Sequence, residues 1–299
     1  MQEIVVYAPA KLNLYLDVLR KRPDGYHDIE TLFEKIDLKD EIIIREKKTK
    51  GIDVKVEPPG VCLSGRDNII YKAVDLLMKE SRRGLGLEII IKKKIPVSGG
   101  LGGGSSDAAV VLTCINKRFG LSIDAKKFFT IATKLGKDVP FFLMDETFVK
   151  GTGMGEVLEP IEADIELFHI IIKPPISIST KTMYERLDKY GLIKKTKGFS
   201  LDKIISALKD KDLDLLKETS YNIFEKVLGS YAGLVKEAKS LLIQIGQPAF
   251  MSGSGPSVFC IFKEREEAMS ALDKIPEKKG FDVFFATSYK GGGDIYGDN

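Results

Sequence analysis

From residue 4 to residue 20 apolar and polar side chains alternate, with Leu12, Leu14, Leu16 and Val18 on one face and Lys11 and Asn13 on the other. A period of two marks a strand, and this one has a polar face as well as an apolar one. Further strands are predicted at about 29–45, 52–57 and 86–92. Between 68 and 79 the period changes, and Ile69, Ile70, Ala73, Val74, Leu76 and Leu77 share one helical face. Ala108, Val111, Leu112, Ile115 and Phe119 repeat that spacing and predict a second helix. Near residue 160 the texture alters: Gly151, Gly153, Gly155 and Pro160 punctuate the chain before an apolar strand from Leu167 to Ile172. Helical patterns then run to about 245, followed by strand (Pro256 to Phe262), helix (Glu264 to Leu272) and strand (Asp282 to Thr287). The pattern predicts an α+β protein of two domains: an N-terminal α/β domain over 1–160, and a smaller ferredoxin-like α/β domain over 161–299. No solenoid-type repeat is present, and Gly291 to Gly297 reads as a loose tail.

One segment interrupts this ordinary patterning. Ile95-Pro-Val-Ser-Gly-Gly-Leu-Gly-Gly-Gly-Ser-Ser-Asp-Ala-Ala109 runs straight into the second predicted helix. Glycines permit positive φ and close backbone approach, so successive N–H groups can converge on one anion beside the positive end of a helix. A nucleotide phosphate is the expected guest. Gly99 and Gly104 have the outer spacing of a Walker A loop, but Ser105 and Ser106 stand where Lys and Ser/Thr should follow, and no register fits G-x-G-x-x-G. A flexible linker is the alternative, but linkers rarely lead into a capped amphipathic helix. Ser105, Ser106 or Asp107 could supply the cap.

Composition narrows the function classes. The chain has 299 residues, 43% hydrophobic and 30% charged, which is globular rather than disordered. With 46 basic and 43 acidic residues the net charge is only +3, too balanced to point to nucleic acid as a partner. Lys92-Lys-Lys94 reads either as a solvated run or, from its place before the glycine loop, as a nucleotide contact. The three cysteines, Cys62, Cys114 and Cys260, form no metal or redox motif, and their odd number fits a reducing cytoplasm. No secretory leader pattern or membrane-length apolar run is visible. Only two histidines exist, His27 and His169, so no His/Cys metal cluster is expected.

Three segments in order carry a family resemblance: Ala8-Pro-Ala-Lys-Leu-Asn-Leu14, the glycine loop, and Met251-Ser-Gly-Ser-Gly-Pro-Ser-Val258. Together they resemble the galactokinase, homoserine kinase, mevalonate kinase and phosphomevalonate kinase superfamily. Four further segments are similar to the branch of that superfamily that phosphorylates a cytidine diphosphate polyol in non-mevalonate isoprenoid synthesis. They are Arg22-Pro-Asp-Gly-Tyr-His-Asp-Ile-Glu-Thr-Leu-Phe33, Asp67-Asn-Ile-Ile-Tyr-Lys-Ala73, Leu135-Gly-Lys-Asp-Val-Pro-Phe141 and Ser179-Thr-Lys-Thr-Met-Tyr184.

The resemblance implies a two-domain kinase with its active site in the cleft between domains, using ATP and Mg2+ to phosphorylate a small-molecule alcohol. It implies Asp138 as the catalytic carboxylate that accepts or orients the hydroxyl proton, with Lys11 beside it stabilising phosphoryl oxygens. Read without it, Asp138 is a helix-end residue, since Pro140 biases Val139 away from helix. ATP contacts are implied for Asn68, Lys93, Pro96, Gly99, Gly100, Leu101, Gly102, Gly103, Gly104, Ser105, Ser106 and Asp107. Substrate contacts are implied for Asn13, Tyr26, His27, Phe33 and Tyr184, whose aromatic and imidazole groups suit a flat base. Ser105 or Ser106 could also reach the metal, although helix capping explains a serine there equally well; no metal ligand is assigned. The Met251 to Val258 turn would support the loop, and Asn222-Ile-Phe-Glu225 receives no role because Ile223 replaces an expected aspartate. Homoserine- or mevalonate-type kinases and a non-catalytic nucleotide-binding relative are the alternatives. Oligomeric state is not legible.

Overall fold

In a computed structural model, which describes residues 3–193 and 198–290, the alternating segment forms β1 (Glu3–Lys21). The glycine-rich tail lies outside the described residues. After β1 come β2 (His27–Glu46), β3 (Gly51–Glu57), α1 (Ile69–Ser81), β4 (Gly86–Lys92), α2 (Gly103–Arg118), α3 (Ala125–Leu135) and α4 (Val139–Phe142). Then follow β5 (Phe148–Thr152), β6 (Val157–Pro160), β7 (Phe168–Lys173), α5 (Thr180–Tyr190), α6 (Leu201–Lys209), α7 (Leu213–Thr219) and β8 (Tyr221–Asn222). The last elements are α8 (Ala232–Gln244), β9 (Phe250–Met251), β10 (Val258–Phe262), α9 (Arg265–Leu272) and β11 (Asp282–Thr287).

A seven-stranded sheet runs β3-β4-β2-β1-β8, with β5 on β2 and β6 on β5. Its spine is the antiparallel pair β1 and β2, and β2 is long enough to pair with β5 at Thr31 to Glu34 and with β4 at Glu41 to Glu46. The second sheet is antiparallel in the order β11-β7-β10-β9. Counted within its own βαββαβ unit that order is 4-1-3-2, the ferredoxin-like arrangement expected from the sequence.

The even positions of β1 enter three apolar clusters in turn. Val6 and Ala8 pack with α1 and α2, Ala10, Leu12 and Leu14 pack between the two sheets, and Leu16 and Val18 join the core of the second sheet. The opposite face is buried too: Lys11 and Asn13 are each only 3% exposed. Its polarity therefore belongs to a cleft and not to open solvent.

Three local expectations are corrected. The glycine helix starts at Gly103 with Gly102 as its N-cap at φ 73, and no side chain caps it, because the left-handed glycine already turns the chain into the helix. Val139 begins a helical turn despite preceding Pro140, since proline is tolerated in a first turn. The glycines at 151–155 do not merely punctuate; they sit in the β5–β6 hairpin, where a Cβ on Gly151 would lie 2.8 Å from the Phe33 ring.

Candidate active site

A cavity of about 1240 Å³ opens between the glycine loop, the central stretch of β1, the start of β2 and helix α5. The loop is shaped by two glycines at positive φ, Gly100 (78°) and Gly102 (73°). A Cβ on Gly100 would stand 2.2 Å from the Ser252 carbonyl oxygen, and one on Gly102 2.8 Å from the Phe142 ring. Glycine is required at both points by conformation and by space.

The turn before β10 clamps this loop. Ser252 Oγ donates to the Gly100 carbonyl (3.0 Å), and the Ser257 amide donates to the Gly99 carbonyl (3.2 Å). Asn222, at the end of β8, holds the clamp by donating from Nδ2 to the Met251 and Gly253 carbonyls (2.7 and 2.8 Å). Glu225 Oε1 accepts the Met251 amide (3.0 Å) and its other oxygen pairs with Lys239 (2.5 Å). The segment Asn222 to Glu225, unassigned from sequence, thus positions the loop through backbone carbonyls that no motif displays.

Lys11 and Asp138 meet across the cavity floor, Nζ to Oδ2 at 3.7 Å. Burial lowers the Lys11 pKa, against the pull of Asp138. Lys11 also donates to Asn13 Oδ1, and Asn13 Nδ2 donates to Thr31 Oγ1 (2.8 Å). Asp138 occupies the N-cap position of α4 without making a side-chain cap bond, so its carboxylate is left to the cavity. Phe33, stacked on Phe141 at 4.7 Å and with Lys11 Nζ 5.6 Å from its ring centre, forms the floor beneath that pair.

The other aromatic candidates gather beside helix α5. His27 stacks on Tyr184 at 4.6 Å and 18°, Tyr184 meets Phe224 edge-on at 5.0 Å, and His27 Nε2 lies 2.8 Å from Asp188 Oδ1. Tyr26 stands at the rim, 55% exposed, with Lys137 Nζ 5.3 Å from its ring centre. An aromatic wall with an imidazole on its edge suits a planar heterocycle.

At the loop's other side, Lys93 is buried between two carboxylates, Asp40 and Asp107, the latter at 2.8 Å. Asp40 also accepts the amides of Lys94 and Ile95 (2.6 and 2.8 Å), which ties the entrance of the loop to β2. Burial, reinforced by the Asp40 charge and opposed by Lys93, pushes Asp107 up to about 7. Lys93 is held above the usual lysine range: burial lowers it, but the two carboxylates outweigh that. Asn68 caps α1, accepting the Ile70 amide (2.8 Å) and donating to the Leu63 carbonyl (2.6 Å), so both its polar ends are engaged in building the wall.

The cavity lining includes every residue implied as a catalytic, ATP or substrate contact except Ser106, and of the run Lys92–Lys94 only Lys93. Ser106 is fully buried, its amide donates to the Gly102 carbonyl (3.0 Å) and its hydroxyl has no partner; Ser105 takes the cavity-facing place. His169 lies away from the cavity and pairs with Glu34 (2.9 Å) in the inter-sheet core. Among the described residues no group of three or more His, Cys, Asp or Glu could hold a metal, and no helix is long and apolar enough to cross a membrane.

Fold and loop together define a GHMP kinase. Residues 68–146 match the GHMP kinases N terminal domain, and residues 204–280 match GHMP kinases C terminal. A 4-diphosphocytidyl-2-C-methyl-D-erythritol kinase of Alkaliphilus metalliredigens is 37% identical over 276 residues, covering 92% of this chain and 93% of its own. The enzyme of that name from Geobacter metallireducens is 38% identical over 282 residues, with coverage of 92% and 95%. A crystal structure of a 4-(cytidine 5'-diphospho)-2C-methyl-D-erythritol kinase superposes with a TM-score of 0.79 at 28% identity, covering 97% of this chain and all of the other. The chain belongs to the 4-diphosphocytidyl-2-C-methyl-D-erythritol kinase family.

Proposed function

We infer that the protein transfers the γ-phosphoryl group of ATP to the 2-hydroxyl of 4-diphosphocytidyl-2-C-methyl-D-erythritol, a step of non-mevalonate isoprenoid synthesis. The observation that supports this most is one cavity holding a glycine loop, the Lys11–Asp138 pair and the His27–Tyr184 stack. Homoserine and mevalonate carry no base for that stack to receive.

In this reading the amides of the loop hold the ATP phosphates, and the His27–Tyr184 stack holds the cytosine, which brings the polyol over Asp138. Asp138 accepts the hydroxyl proton as the oxygen bonds to the γ-phosphorus and the bond to the ADP oxygen breaks. Lys11 faces the negative charge that develops on the transferred group. Magnesium, when bound, would supply charge neutralisation; among the described residues no group of three or more His, Cys, Asp or Glu could hold it, and the cavity-lining Ser105 is the candidate hydroxyl contact. The domain division at 160, the placement of the site between the domains and a cytoplasmic location belong to the same proposal.

The test is to incubate the purified protein with ATP, magnesium and, separately, the cytidine diphosphate polyol, homoserine and mevalonate, identifying products by mass. Phosphorylation of the cytidine compound alone is expected. Turnover of homoserine or mevalonate at comparable kcat/KM would overturn the substrate assignment.

A further inference from the structure

Asp188 was invisible as a site residue in the sequence, yet it makes the hydrogen bond that holds His27. It lies on α5 one turn beyond Tyr184, and its two oxygens face different partners: Oδ1 meets His27 Nε2 at 2.8 Å and Oδ2 accepts from Lys21 Nζ at 2.5 Å. Burial raises the Asp188 pKa, but the bonds from Lys21 and His27 outweigh it and the net shift is downward. The carboxylate is therefore ionised and can only accept, so the proton it meets must sit on Nε2. In the neutral ring Nδ1 is then bare, and it has no hydrogen-bond partner among the described residues while the ring lines the cavity. Stacking on Tyr184 restricts the ring plane, and a half-turn flip would put a ring carbon against Asp188.

We propose that Asp188 is a positioning residue that fixes the tautomer and orientation of His27, so that Nδ1 presents an acceptor to the substrate base and selects cytosine over uracil. The proposal rests on the substrate reading above. Cytosine carries a 4-amino group that donates to such an acceptor. Uracil carries an oxygen there, which sets two lone pairs against each other. A site that leaves a polar group facing a like partner discriminates far more strongly than one that only changes shape.

The sequence contains only His27 and His169, so 15N-histidine labelling of the whole protein yields two rings, distinguished by a His169→Gln variant. Long-range 1H–15N spectra at a pH where the His27 ring is neutral should show its Nε2–H tautomer alone. Cytidine diphosphate should shift Nδ1, and uridine diphosphate should not. Asp188→Ala should give mixed tautomers and raise the KM of the cytidine acceptor about 10-fold, with kcat and the KM for ATP within about twofold. Its preference for the cytidine over the uridine acceptor should fall by a similar factor. Asp188→Asn, whose amide oxygen can still accept from Nε2, should restore most of the loss, and Lys21→Met, which removes only the ion pair, should change neither tautomer nor preference.

An Nδ1–H ring in the wild-type protein overturns the proposal, as does an Asp188→Ala protein with unaltered base preference. So does a Lys21→Met protein that reproduces the Asp188→Ala defect. Failure of the substrate reading looks different: the wild-type protein would then ignore both bases while its His27 spectrum still changed in Asp188→Ala, and base selection would fall with that reading.

Discussion

Asp138→Asn keeps the shape of the side chain and removes its charge and its proton affinity. Turnover should drop roughly 100-fold or more while ATP affinity, measured by calorimetry, stays near that of the wild type. Near-normal turnover would remove Asp138 from the chemistry. Tyr184→Ala tests the aromatic wall of the same cavity. It should raise the acceptor KM roughly 5- to 150-fold, the weight of one stacked base at about 1 to 3 kcal/mol, and leave the KM for ATP unchanged. Equal effects on both substrates would mean that the wall has collapsed. At this scale the sequence singled out Lys11, Asp138, His27 and Tyr184, which line one cavity, because each is embedded in a motif with unusual neighbours. Asp188 and Asn222 stayed hidden: one lies among the ordinary charged residues of a helix, and the other acts through its contacts with two backbone carbonyls. Contacts across such separations leave no local pattern to read.

Among the elements, the glycine loop is where conformation is most tightly specified. Gly100→Ala forces a side chain into positive φ and into the Ser252 carbonyl, so the loop and the clamp must separate. The KM for ATP should rise about 10-fold or more in a protein whose circular dichroism is unchanged; a normal KM would show that the loop binds without the clamp. The start of α2 supplies a second test. The folded-state pKa of Asp107 lies above its ordinary value of 3.8, at about 7, so the folded protein keeps a proton that the unfolded chain has released. That contribution to stability is complete below about pH 4 and disappears as the pH rises to about 7. Asp107→Asn imitates the protonated form, and its urea midpoint should fall less than that of the wild type between those limits. Parallel pH profiles would contradict the assignment. Strands and helices with a clear period were legible here, including β3, β4 and β11 almost to the residue. The hairpin of β5 and β6 was not, because Gly151 serves close packing against Phe33 while Gly153 and Gly155 take the positive φ of the turn, and together they look like breaks.

The whole molecule is joined by a cluster that draws Leu12, Leu14, Ile36 and Phe148 from the first sheet, Ile171, Phe259 and Ile261 from the second, and Leu167 from the residue before β7. A buried bond from Ser288 Oγ to Glu34 (2.6 Å) and a part-buried one from the Thr287 amide to Asp37 (2.7 Å) reinforce it. Calorimetry should accordingly show one cooperative transition for the full chain, and a fragment of residues 1–160 should aggregate because its inter-sheet face is uncovered. Two resolved transitions would show that the halves are independent. The sequence pointed to two blocks; it could not show that they share a core, since the shared side chains carry the same alternation as any half-buried strand. That β1 threads all three clusters has a bearing on how the protein is made. Leu12 and Leu14 leave the ribosome early, but Phe259 and Ile261, which complete their cluster, follow only after most of the chain. At roughly 5–20 residues per second, that face waits about 10 to 50 seconds for its lid, long enough for a holdase to compete with self-association. Synthesis rate and chaperone supply, rather than the stability of the finished fold, should then set how much of this kinase a cell recovers.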